Sequence, residues 1–366
     1  MKKVDAIIDF IRRNDPNPGH VNLVHQSLTL SQIHSLSEAL KYNTVLRRLD
    51  LHISDVRDRH DSSWMKLLSE ALKINKTLQE LILAGNYIGK YPESLFFLSE
   101  ALKINKTLQE LSLTGNLLGD RPETIKSLSD ALKVNNTLRV LWLGQNYFGD
   151  CPDPSGVISL SEALKVNNSL QELSLNDNYL GKCSEGMFFL SKSLRVNNTL
   201  RALWLGQNYL GNCPESIKSL SDALKVNKAL QELDLRHNSL GNSLEGMKCL
   251  SEALKVNKTL RRLDLGGNEL GKCPDGMKFL SEALKVNKTL KYLGLNWNML
   301  GNCPMEVSLL LESLEINTFL EWLHLHSNDI DDAILTEVTE LLERNKHNNL
   351  MKNSCLFGLL LPILQA

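Results

Sequence analysis

His324 and His326 stand two residues apart, a spacing that puts both imidazoles on one face of an extended strand, where neutral ring nitrogens could begin a metal site. A third ligand is wanting, because His237 falls three strands away, about 14 Å at ordinary strand spacing. A second series is made of sulfur. Cys151, Cys183, Cys213, Cys273 and Cys303 hold equivalent loop positions at separations of 32, 30, 60 and 30 residues. A tetrahedral thiolate site needs all its ligands on one ion, and outer loops of successive units are too far apart for that. Tyr91, Arg121 and Ser243 fill the same place in other units, so these thiols are expected to be small half-buried packing residues. No phosphate-cradling GxxxxGKS loop, GxSxG elbow, HExxH pair or dinucleotide-binding glycine pattern occurs. The chain is therefore expected to be no enzyme, and to need no cofactor or metal.

What remains is the chemistry of recognition. Trp142, Trp204, Trp297 and Trp322 are large rings placed where a solvated sheet has little use for them, and exposed aromatics are typical binding anchors. Asp234, Arg236, His237, Arg262 and Asp264 mix acid and base, which suits directional contacts to a protein. Tyr292, Trp297, Trp322, His324 and His326 gather on two adjacent strands in the least repetitive stretch of the chain. These groups are the expected partner-binding residues. Tyr87, Tyr147, Tyr179 and Tyr209 either extend them as an aromatic rim or pack over neighbouring turns.

The elements that position these residues are set by a repeat. The core LxxLxLxxN starts at Leu78, Leu108, Leu138, Leu170, Leu200, Leu230, Leu260, Leu290 and Leu320, with steps of 30 residues except one of 32. A unit lacking the Asn begins at Leu46, and a sparse one around Val21 to Leu28 brings the expected strands to about eleven. Within a unit the period changes: Leu81-Ile82-Leu83 alternates as a strand, whereas Leu95, Leu98, Ala101 and Leu102 recur at helical spacing. Pro92, Pro122, Pro214, Pro274 and Pro304 mark helix starts, where a missing N–H is tolerated. Each helix should end at a run such as Lys255-Val256-Asn257, with the Asn free to turn left-handed. The core Asn, for example Asn116 or Asn146, follows the strand and can tie off stranded backbone groups there, unit after unit. Asn105-Lys106-Thr107 and Asn257-Lys258-Thr259 have the form of glycosylation acceptors but read as structural. Parallel strands lie about 4.8 Å apart while helices need about 10 Å, so the stack must curve with strands inside.

These residues resemble the leucine-rich repeats of the long, ribonuclease-inhibitor-like type, also found in NOD-like receptors and in the activator of the Ran GTPase. The resemblance covers about residues 46 to 345. It implies an intracellular α/β solenoid, a right-handed horseshoe with a parallel sheet on its concave face, used for protein binding. The expected organisation is a capping helix in 1–20, the repeat array in 21–345 and an apolar cap or tail in 346–366.

Comparison of the repeats with one another separates scaffold from surface. Leu-Ser-Glu-Ala-Leu-Lys recurs at 98–103, 160–165, 250–255 and 280–285, as a solvated outer wall would. The outward strand positions vary instead. The third runs Arg48, Glu80, Glu110, Val140, Glu172, Ala202, Glu232, Arg262, Tyr292, Trp322, and the fifth Asp50, Ile82, Ser112, Trp142, Ser174, Trp204, Asp234, Asp264, Gly294, His324. The stretch 138–149 nearly repeats at 200–211, so Trp142 and Trp204 descend from one duplication and either anchor a ligand or stack on each other or on Arg139 and Arg201.

With 41 basic and 42 acidic residues interspersed, no field of one sign would gather nucleic acid or an anionic bilayer. The start, Met1 to Arg13, is interrupted by Asp5 and Asp9 and reads as an amphipathic helix rather than an export signal. Seven Cys without such a signal point to reduced thiols and a cytoplasmic setting. Cys355 to Leu364 is apolar, too short to span a membrane, and is expected to dock on the last repeat. The expectation is a non-enzymatic module that binds a protein partner on its concave face. The rival is a regulator of an enzyme, either an inhibitor or a GTPase activator offering Arg236 or Arg262, and a host-targeted effector of an intracellular microbe would be a further use of the same array.

Overall fold

The computed structural model describes residues 2–15, 19–24, 26, 28–53 and 62–360, the last nine of these by their backbone alone. It divides into two compact units, residues 1–208 and 209–366.

The first unit opens on α1 (Lys2–Arg12) and then alternates strands with helices: β1 (His20–Leu23), α2 (Leu30–Tyr42), β2 (Arg48–Leu51), α3 (Ser63–Ile74), β3 (Glu80–Ile82), α4 (Pro92–Ile104), β4 (Glu110–Ser112), α5 (Pro122–Leu132), β5 (Val140–Trp142), α6 (Ser155–Val166), β6 (Glu172–Ser174), α7 (Ser184–Leu194) and β7 (Ala202–Trp204). The strands pair in parallel and in chain order, so that Leu81, Leu111, Leu141, Leu173 and Leu203 stand in one continuous row. All five are fully buried. Burying such a leucine contributes roughly 2 kcal/mol relative to leaving it in water. The helices supply the other half of the core. In Leu-Ser-Glu-Ala-Leu-Lys the leucines, serine and alanine are buried at 98–102, while Glu100 and Lys103 pair outside.

Helix α1 closes the start of this unit. Val4, Ile8 and Ile11 are buried, Asn43 donates from Nδ2 to the Ile11 carbonyl at 2.7 Å, and Gln32 donates to Asp5 at 2.7 Å. Gln32 is also half of the capping box with Thr29 that starts α2.

Two ladders of asparagine bind the repeats. Asn116 donates from Nδ2 to the Leu83 carbonyl at 2.9 Å, and its Oδ1 accepts from the Asn86 N–H at 2.9 Å, so each core Asn reaches back to the unit before it. Asn146 repeats the pattern on Leu113 and Asn116. The second ladder lies at the helix ends, where the left-handed turn expected of Asn does not occur. Asn105 is extended (φ −61, ψ 132), which lets its Oδ1 accept from Thr107 and Leu108 N–H groups and its Nδ2 donate to the Leu72 carbonyl. A left-handed turn would aim the amide away from both, so the glycosylation-like Asn-x-Thr triplet is a cap. The left-handed residues stand elsewhere, flanking the core Asn: Gln145 and Tyr147 around Asn146, Asp177 and Tyr179 around Asn178.

The second unit continues with α8 (Pro214–Leu224), β8 (Glu232–Asp234), α9 (Leu244–Val256), β9 (Arg262–Asp264), α10 (Pro274–Val286), β10 (Tyr292–Gly294), α11 (Pro304–Ile316), β11 (Trp322–His324) and α12 (Asp332–Leu360). Leu233, Leu263, Leu293 and Leu323 form its leucine row. Helix α12 covers its end. Asn345, fully buried, donates to the Asn317 and Leu320 carbonyls, and Arg344 donates to those of Leu314, Glu315 and Asn317. The helix runs through 345/346 without a break, and the apolar run from Cys355 continues it in backbone as far as Leu360. The side chains of that run, and residues 361–366, lie outside the described residues. Among the described residues no helix is long and apolar enough to cross a membrane.

The outer wall also exposes apolar side chains. The residue before each helix-capping Asn is apolar and exposed: Ile74, Ile104, Val134, Val166 and Val196 in the first unit, Val226, Val256, Val286 and Ile316 in the second. The thiol series packs as expected, with Cys183, Cys273 and Cys303 buried and Cys151 and Cys213 half-buried, all free. Burial pushes the Cys303 thiol up to about 11.

Candidate functional site

In each unit the third and fifth strand positions project from the sheet face opposite the leucine core, because side chains alternate along a strand. In the first unit Trp142 stands in register with Ser174, and Ser174 with Trp204. The serine leaves room above it, and the two indoles close over it with ring centroids 5.0 Å apart and planes inclined by 28°. Both rings are half-buried by this contact. The mutual stacking that the sequence allows for these rings is observed. Trp142 also donates from Nε1 to Glu110 at 2.8 Å, a partner one strand earlier that the sequence did not single out. Beyond the strands Tyr147 and Tyr179 stack at 5.8 Å, and Lys182 lies over Tyr179. The fifth tryptophan, Trp64, is buried in α3.

The second unit brings its expected residues together more tightly. Asp234 is buried beneath Arg236, which holds it through Nε at 3.0 Å and Nη2 at 2.7 Å. Those bonds hold the Arg236 guanidinium above its usual range. Asp264, buried too, accepts from the Gly266 N–H and lies 3.5 Å from Arg262 and 3.9 Å from Arg236. Arg262 in turn lies flat on Tyr292, its guanidinium carbon 3.5 Å from the ring centroid. The Tyr292 hydroxyl meets Asp264 at 3.5 Å and His324 Nδ1 at 3.1 Å. Burial first, and then Asp264, raise the Tyr292 phenol. Both arginines are thus tied to carboxylates of their own unit. Asp234 and Asp264, expected on an open face, are covered by them.

Two glycines make this arrangement fit. A Cβ on Gly294 would stand 2.3 Å from Asp264 Oδ1, and one on Gly267, itself left-handed at φ +67, would stand 2.3 Å from His237 Nδ1. Trp297 and Trp322 are the open rings of the unit, 61% and 52% exposed. Lys346 of α12 lies over Trp322 at 3.7 Å, another partner the sequence did not announce. His324 and His326 have ring centroids 6.2 Å apart. Among the described residues no three His, Cys, Asp or Glu side chains converge as a metal site needs.

A sequence family described as Leucine Rich repeat matches residues 226–251 and 256–272. No curated protein matches the chain. Among solved structures the chain is similar to leiomodin-1 actin-binding site 2, at 21% identity over 52% of this chain and 88% of that one, with a TM-score of 0.33. It is similar also to the tropomodulin C-terminal domain of Caenorhabditis elegans, at 21% identity over 45% of this chain and 92% of that one, with a TM-score of 0.35. The unit that recurs along both halves, a strand bearing LxxLxLxxN, a turn tied by its Asn, and a returning helix, is the leucine-rich repeat, and the chain is a leucine-rich-repeat protein.

Proposed function

We propose that the chain is a non-enzymatic protein-binding module, and that its partner lies on the concave strand side of the array. One observation carries the reading. Repeats that agree almost residue for residue in their leucine rows and asparagine ladders differ at the outward strand positions, and those positions hold Trp142, Trp204, Arg262, Tyr292 and Trp322. A scaffold has no need of that variety, whereas an extended binding surface is made of it. The contact residues are those of the two faces: Trp142 and Trp204 in the first unit, and Asp234, Arg236, His237, Arg262, Asp264, Tyr292, Trp297, Trp322, His324 and His326 in the second.

Capture from cell lysate with wild type and the Trp204→Ala/Trp322→Ala variant as parallel baits tests it, once circular dichroism shows equal folding. A partner retained by wild type and weakened by about 2–4 kcal/mol in the variant is the expected result. Identical catches from both baits would move the binding surface to the exposed aliphatic row of the helical wall.

A further inference from the structure

We propose that the strand face of the first unit receives a single cationic side chain, arginine or lysine, of its partner, laid on the Trp142–Trp204 pair with its charge met by Glu110. This deepens the protein-binding reading and rests on it.

Three observations converge. The stacked indoles present a broad aromatic surface on an otherwise small-residue neighbourhood, with Ser112 and Ser174 in register beside Trp142. An indole face attracts a cation through its quadrupole, and a guanidinium, being weakly hydrated, rests there at a lower desolvation cost than an ammonium. Next, Glu110 is aimed by the Trp142 N–H at 2.8 Å, a neutral donor that occupies one lone pair and leaves the charge uncompensated. No Lys, Arg or His nitrogen among the described residues lies within 4.0 Å of this carboxylate. Finally, Glu110 and Glu172 flank Val140 in register, so both acids border the same short side chain. No base occupies a third or fifth position on β4 to β7.

The charge pattern also limits the ligand. Arg139 and Arg201 are exposed one residue before the strand row, where they would repel a polybasic stretch. A lone cation with neutral or acidic neighbours fits the face, and a lysine-rich tail does not. In the second unit the fifth-position acids Asp234 and Asp264 already hold Arg236 and Arg262.

The test is a selection of 12-residue peptides from a random displayed library on the whole protein. Binding of the enriched peptides is then measured by fluorescence anisotropy. Enriched peptides should share one Arg or Lys. Citrulline or Gln in its place, or Glu110→Gln in the protein, should weaken binding about fivefold, and Trp142→Ala/Trp204→Ala about tenfold or more. Gln keeps an oxygen for the Trp142 N–H, so Glu110→Gln removes charge and leaves the indole in place. Peptides that require the tryptophans but carry no cation and ignore Glu110→Gln would overturn this proposal while leaving the protein-binding face intact. Peptides indifferent to both variants, or a selection that enriches nothing, would overturn it together with the assignment of this face.

Discussion

The two units build the same leucine core, but the β4 to β7 stretch of the first finishes its strand face differently from β8 to β10 of the second, while β1 to β3 carry a settled pairing of Arg48 with Asp50 and Glu80. In the first, a tryptophan pair shields part of itself and Glu110 is left without a counter-ion. In the second, Asp234 and Asp264 are buried under Arg236, Arg262 and Tyr292, and those two charges are settled within the unit. A self-satisfied network is rigid and offers hydrogen-bond direction at its rim, whereas an unsettled face gains more from an incoming charge. One scaffold thus carries a preorganised surface and a needy one.

The largest effects are expected where the units agree. Asn146→Ala in the first unit and Asn298→Ala in the second each remove a fully buried amide whose oxygen accepts from the preceding core Asn N–H and whose Nδ2 donates to carbonyls of its own and the preceding repeat. Each should cost about 2–4 kcal/mol in urea unfolding, since several buried groups lose their partner at once. A loss below 1 kcal/mol in only one unit would show that the ladder is not the common support. Next comes Gly294→Ala, which drives a methyl into Asp264 and should cost about 1–3 kcal/mol. The same variant should displace Arg262 from Tyr292 and alter the His324 imidazole resonance by NMR. An unmoved resonance would mean that the second face is not the connected network described. The smallest effect belongs to the tryptophans. A double-mutant cycle of Trp142→Ala and Trp204→Ala should give a coupling of about 0.5–1.5 kcal/mol, the value of a stacked aromatic pair. Strict additivity would show that the two rings act independently.

Much of the fold was legible because a repeat prints its own alignment. The leucine period, the prolines at helix starts and the core Asn each state a local need that recurs at every unit. What escaped reading depends on neighbours about 30 residues away. Asn105 looks like a left-handed helix stop until the Leu72 carbonyl, 33 residues earlier, is seen to need its amide. The sequence allowed Trp142 and Trp204 to stack, but it did not single out the small Ser174 between them that lets the rings meet. Asp264 reads as surface because the arginines that cover it come from β9 itself and from the turn after β8.

The end cap has an evolutionary corollary. Arg344 and Asn345 grip main-chain oxygens of Leu314, Asn317 and Leu320, atoms that any repeat presents whatever its side chains. Those grips do not depend on which side chains the repeat beneath them carries, whereas Lys346 over Trp322 and Asn349 on Glu321 do, so exchange of that repeat would require only these two contacts to change with it.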